Sequence, residues 1–111
     1  MSAFKMALGE FELLVLLAVM RLRGRAYGVP VLEEICARTG RNVSRGSVYV
    51  TLDRLVRKGQ LKSFLAEATA ERGGRPKRYY QLTPTGTAAL RQTIRALHQM
   101  EHGLSVVPER P

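Results

Sequence analysis

Only Gly40 to Val43 separates two stretches of helical apolar spacing, and this short connection constrains the fold more than any other feature of the chain. Before it, Leu32, Ile35, Cys36 and Thr39 recur at the i, i+3, i+4, i+7 spacing of one helix face. Pro30 suits a first helical position and Gly40 a stop, so a helix is predicted from about Pro30 to Thr39. After it, stepping ~100° per residue from Ser44 to Gly59 sets Val48, Leu52 and Leu55 on one stripe, with Val56 at its margin. Ser47, Val50, Asp53, Arg54, Arg57 and Lys58 fall on the other side. Ser44 is a good N-cap, Val43 is placed to staple onto Val48, and Gly59 stands where a left-handed stop is wanted. A glycine-containing connection this short folds two helices into a helix-turn-helix, the second one offering its polar face outward.

The flanking segments support that unit. Gly9 to about Arg23 reads as a helix, and because FELLVLLAVM is apolar on nearly every side it is expected to be covered on more than one face, beyond what so small a domain supplies alone. Downstream, QLKSFLA and KRYYQL read as two short strands around AERGGRP, whose Gly-Gly and Pro mark a turn, so a basic-tipped β-hairpin follows the helix pair. Thr83 and Pro84 restart a helix as N-cap and first position. Its stripe is Leu90, Ile94, Leu97 and Leu104, widened by Ala89, Ala96 and Met100. The tail SVVPERP has two prolines and no periodicity and is expected to be disordered. The predicted class is mainly α with a small β-hairpin wing. It divides into a winged helix-turn-helix domain (1–82), a C-terminal dimerisation helix (83–104) and a tail (105–111).

Charge narrows the function classes. The 111 residues carry 18 Lys and Arg against nine Asp and Glu, a net charge of +9 and a pI near 10.6. Seven of those nine net charges fall between Arg41 and Arg78. This is the electrostatic footprint of a protein that meets polyphosphate. One domain is too short for a two-domain enzyme with an interdomain cleft, and no Ser/His/Asp arrangement, P-loop or dinucleotide fingerprint appears. His98-Gln99-Met100-Glu101-His102 fits the H-x-x-E-H pattern of some zinc peptidases, but it falls in the last turns of a helix with no third ligand in sequence. The expectation is therefore a protein that is not an enzyme, with neither cofactor nor metal. The single cysteine, Cys36, sits at an apolar helical position and reads as a buried thiol. A chain with one cysteine and no signal-peptide pattern is expected in the cytoplasm. Its longest apolar run, Leu13 to Met20, is well under the ~20 residues of a membrane span.

In a major groove, Arg pairs with guanine, Ser donates or accepts, and an exposed aliphatic group meets a thymine methyl. On the helix capped by Ser44, Ser47, Val50 and Arg54 have those chemistries. Arg45, Arg57 and Lys58 suit phosphate, and Tyr49, at the helix edge, either reaches a phosphate or packs against the wing. At the hairpin, Arg72, Arg75, Lys77 and Arg78 form a basic tip in which Arg75, between Gly74 and Pro76, suits a narrow minor groove. A solvated basic turn touching phosphate only is the plainer reading. Surplus apolar surface on the first and last helices, at Leu13, Leu16, Leu17, Met20, Leu90, Ile94, Leu97 and Leu104, points to a two-fold dimer. Two other functions fit the same residues: a winged helix that binds structured RNA, and a protein-interaction adaptor whose basic region only solubilises it. Competition between matched RNA and DNA duplexes, and the salt dependence of DNA binding, separate them.

AYGVPVLEEI, GSVYVTLDRLVRKGQL and ERGGRPKRYYQLTPTG resemble the PadR family of winged-helix transcriptional regulators, over roughly Leu8 to Met100. The most specific features are Tyr49 in Gly-Ser-Val-Tyr, the Leu52, Arg54, Leu55 spacing, the Tyr79-Tyr80 pair and Leu82-Thr83-Pro84-Thr85-Gly86. The resemblance implies a homodimer formed through the first and last helices and double-stranded DNA bound by the two Ser44 helices and wings. It also implies repression of a nearby gene, usually relieved by a small-molecule effector. Some members stack planar ligands on tryptophan, and this chain has none. With one C-terminal helix it is similar to the short subfamily.

Overall fold

The computed structural model describes residues 7–66 and 76–104. In chain order these form α1 (Glu10–Leu22), α2 (Gly28–Thr39), α3 (Arg45–Arg57), β1 (Leu61–Leu65), β2 (Arg78–Leu82) and α4 (Pro84–Glu101). The wing tip and the tail expected to be disordered lie outside the described residues.

Local chemistry sets most of the boundaries. Ser44 accepts the Ser47 N–H at 3.1 Å and opens α3. At the other end Gln60 N–H reaches the Leu55 carbonyl (2.9 Å) and Gly59 N–H the Val56 carbonyl (3.0 Å), a Schellman stop with Gly59 at φ 77°. The second helix begins two residues before Pro30, where sequence placed its start. Tyr27 is the extended N-cap and Val31 N–H makes the first helical bond to its carbonyl at 3.1 Å. Pro30 thus stands in the first turn, where backbone N–H groups have no intrahelical partner and proline loses nothing.

The core is one cluster, with Leu16, Val31, Val48, Leu52 and Leu55 fully buried and Tyr80 and Leu90 joining from the hairpin and α4. Burial pushes the Tyr80 phenol above its ordinary range. This core covers more of α1 than expected, leaving Phe11, Leu14 and Leu17 half-buried. Leu13, Val15, Leu16, Ala18, Val19 and Leu22 are buried, and of the large apolar residues of that helix only Met20 is exposed. Crossing by α2, α3 and α4 together closes more of its circumference than a domain of this length suggests.

The hairpin pairs antiparallel, Leu61 opposite Leu82 and Phe64 opposite Tyr79. Tyr80 N–H donates to the Ala26 carbonyl at 2.8 Å, which ties β2 to the α1–α2 connection. On the surface, Arg38 and Arg21 (3.2 Å) converge on Glu34, and the Arg38 hydrogen bond, foremost, holds the Glu34 carboxyl below the usual carboxylate range.

At the α3–β1 turn Gln60 is fully buried, and among the described residues its side-chain amide has no hydrogen-bond partner. Leaving such a group unsatisfied costs about 1–3 kcal/mol, so Gln60→Met, close in shape, is expected to raise stability by about 1 kcal/mol in chemical denaturation. A loss of stability would show that the amide is satisfied after all.

Candidate nucleic-acid interface

The buried stripe of α3 is Val48, Thr51, Leu52 and Leu55. Opposite it, Gly46, Val50, Asp53 and Arg57 form the outermost line, all exposed. Ser47 and Arg54 share the edge facing α1, while Arg45 and Tyr49 share the edge facing α2. The helix therefore projects a ridge carrying Arg45, Ser47, Val50, Arg54 and Arg57, with Asp53 the one acid among them. Ser47 Oγ lies 2.7 Å from Ser44 Oγ, so the cap residue and the first exposed hydroxyl are held together.

Each edge is fixed by a contact that connects distant parts of the chain. The Tyr49 ring rests on Gly28, where an added Cβ would come within 2.3 Å of it. Tyr49 therefore packs on the start of α2, and it shares a cavity with Pro76, Lys77 and Arg78 at the root of the hairpin. On the other edge Lys58 Nζ donates to both Glu12 oxygens (3.1 and 3.2 Å) and to the Ala7 carbonyl (3.1 Å). Arg54 Nη1 lies 3.8 Å from the same carboxylate. Lys58, expected on phosphate, is thus committed inside the protomer, because a buried carboxylate on α1 needs a cation more than the solvated edge does.

Beside the α2 edge stands the outer face of the hairpin. Phe64 stacks on Tyr79 at 5.9 Å, Tyr79 meets Tyr27 edge-on at 5.3 Å, and Lys77 Nζ sits 4.5 Å above the Tyr27 ring. That cation–π contact holds Lys77 at the root of the wing. Arg78 is exposed and its guanidinium donates to Ser63 Oγ at 3.1 Å. Of the four expected wing residues, Lys77 and Arg78 flank the α3 ridge, and Arg72 and Arg75 lie outside the described residues.

A model of the transcriptional regulator PadR-like family matches residues 16–92, from the middle of α1 to the first half of α4, with α2, α3 and both strands of the hairpin entire. The chain belongs to the PadR-like family. Solved structures agree on the fold. A PadR-like transcription factor from Bacteroides fragilis is 23% identical with a TM-score of 0.71, covering 82% of each chain. A PadR family regulator from Eggerthella lenta is 27% identical with a TM-score of 0.66, covering 82% of this chain and 77% of the other. BpsR of Bordetella bronchiseptica, whose DNA binding is regulated by 6-hydroxynicotinic acid, is 20% identical with a TM-score of 0.63, covering 89% and 69%. No curated protein matches the sequence.

In this PadR-like chain the residues expected at a dimer interface divide into two groups. Leu13, Leu16 and Leu90 are buried in the protomer core. Met20, Ile94, Leu97 and Leu104 are exposed, with Leu17 half-buried. Three residues that sequence reasoning passed over matter as much: Glu12, Gly28 and Tyr27. A lone carboxylate within FELLVLLAVM was the available signal for the first, and Gly28 beside Tyr27 for the others. The His98-x-x-Glu101-His102 pattern places His98 Nδ1 3.0 Å from Glu101, a local helical pair. Among the described residues no three His, Cys, Asp or Glu side chains gather as metal ligands, and no helix is long and apolar enough to cross a membrane.

Proposed function

We propose that this PadR-like regulator acts in the cytoplasm as a homodimer that binds a palindromic DNA operator through α3 and represses transcription. The observation that carries the reading is the α3 ridge, which sets a serine, an aliphatic residue and arginines outward on one rigid helix with a basic hairpin beside it. A helix of that width fits a major groove, Ser47, Val50 and Arg54 supply base-directed chemistry, and Arg45, Arg57 and Arg78 supply cations for phosphate. The exposed apolar residues of α4 support the dimer. Leu97 and Met100 line a groove of about 320 Å³ with Ala7, Leu8 and Ala96, a surface suited to a second copy's helix. The regulated DNA binding of BpsR supports a small-molecule effector for this chain.

The test is selection of bound fragments from random DNA, then titration of the selected site at several salt concentrations. Arg54→Ala is expected to cost about 1–3 kcal/mol on the selected site and relax preference there, whereas Arg57→Ala weakens all sequences alike and lowers the salt slope by about one. An RNA duplex of matched sequence should compete poorly. Equal competition by that RNA, or binding indifferent to salt, would overturn the reading.

A further inference from the structure

Glu12 is the third residue of α1 and only 6% exposed, the one charge among the buried residues of that helix. Its Oε1 accepts the Gly9 N–H at 2.9 Å and so helps cap α1, which accounts for one lone pair. The remaining acceptor capacity points at α3, where Lys58 takes two hydrogen bonds and Arg54, one turn earlier, lies 3.8 Å away. One buried carboxylate therefore faces two cations from successive turns of the same helix. Arg54 is half-exposed and Lys58 mostly covered, so the pair is sorted: Lys58 is retained against α1 while the Arg54 guanidinium is held at the boundary between protein and solvent.

We propose that Glu12 is a positioning residue for sequence recognition, orienting Arg54 and withholding Lys58 from phosphate although it meets no base itself. This rests on the reading of α3 as the base-reading helix. An arginine with several free torsions loses side-chain entropy when it settles on a base, and a carboxylate that already restricts it lowers that cost for the cognate geometry alone. Withholding Lys58 also keeps one cation from strengthening binding to every sequence equally.

The experiment compares the full-length chain with Glu12→Gln on a selected site and on a scrambled duplex, each across a salt series. Removing the charge is expected to lower the ratio of selected to scrambled affinity about tenfold, tighten scrambled binding, and steepen the salt slope by about one as Lys58 is released. A purely structural role would weaken both duplexes together and leave their ratio unchanged. In an Arg54→Ala background the same substitution should leave the ratio within about twofold, because the residue it acts through is gone. Should Gln at position 12 prevent folding, Glu12→Gln with Lys58→Met removes the carboxylate and its main partner together and carries the same expectation for the ratio. An unchanged ratio in Glu12→Gln, or a further tenfold loss in the Arg54→Ala background, overturns the proposal. A wild-type chain that selects no sequence instead removes the reading of α3 beneath it.

Discussion

Gly86→Ala is expected to destabilise the protein by about 3 kcal/mol or more, lowering the melting temperature by roughly 12 °C or more at fixed protein concentration. Gly86 lies in the first turn of α4, and a Cβ built there would stand 1.9 Å from the Gln60 carbonyl oxygen and 2.8 Å from its carbon. Both atoms are backbone, so no side chain can swing away. Around that contact Thr83 makes three hydrogen bonds. Its hydroxyl accepts the Gly86 N–H at 3.0 Å and donates to the Gly59 carbonyl at 2.6 Å, and its own N–H reaches the Gln60 carbonyl at 3.2 Å. Moving α4 out far enough to admit a methyl group breaks the bonds to Gly59 and Gln60 and withdraws Ala89 and Leu90 from the core. Circular dichroism melts of the two proteins at one concentration decide it. A shift below 2 °C would mean that the α4 start is not clamped to the α3–β1 turn as described.

The second large effect is expected at the other end of α4. Beyond Leu90 the helix leaves the core, with Leu97 and Met100 53% and 78% exposed, and Leu104, which lies past the helix end at Glu101 and not on the expected helix to 104, is 58% exposed. Burying a Leu side chain contributes about 1.5–3 kcal/mol, and in the proposed homodimer a two-fold axis counts each residue twice, so Leu97→Glu is expected to weaken dimerisation by at least about 100-fold. The variant should keep its helical signal, since Leu97 contributes nothing to the protomer core. Binding to the two half-sites should fall with it, because a single α3 lacks its partner's contribution to avidity. Analytical ultracentrifugation at micromolar concentration, beside operator titration at fixed salt, provides both readings. A monomeric wild type, or a monomeric variant with undiminished operator affinity, would exclude an assembly built on α4.

These two effects differ in how far sequence alone reaches. Caps and stops are local, made by atoms within a few residues of each other, and for that reason Ser44, Thr83 and Gly59 could be assigned from residue type and position. The same holds for the face of α3: periodicity separates Val48, Leu52 and Leu55 from Ser47, Val50 and Arg57 because a helix has a single pitch. The family, too, was legible, in the spacing around Tyr49 and in Leu82 to Gly86.

Tertiary structure decided what covers each face and which polar groups are already engaged. Periodicity marked Leu13, Leu16 and Leu90 as apolar surface in need of a cover, but only the crossing of α1 with α2, α3 and α4 shows that the protomer supplies it and leaves Leu97 and Leu104 without one. Lys58 read as a free cation on a polar face. Its engagement by Glu12, 46 residues away, follows from how closely the end of α3 approaches the start of α1. Nothing in the sequence around Gly28 or Gly86 shows the close approach of the Tyr49 ring to the first or of the Gln60 backbone to the second. Spacing along the chain reports direction around one helix axis, whereas burial, pairing and close approach depend on the distance between axes, which is set jointly by all the side chains that pack between them.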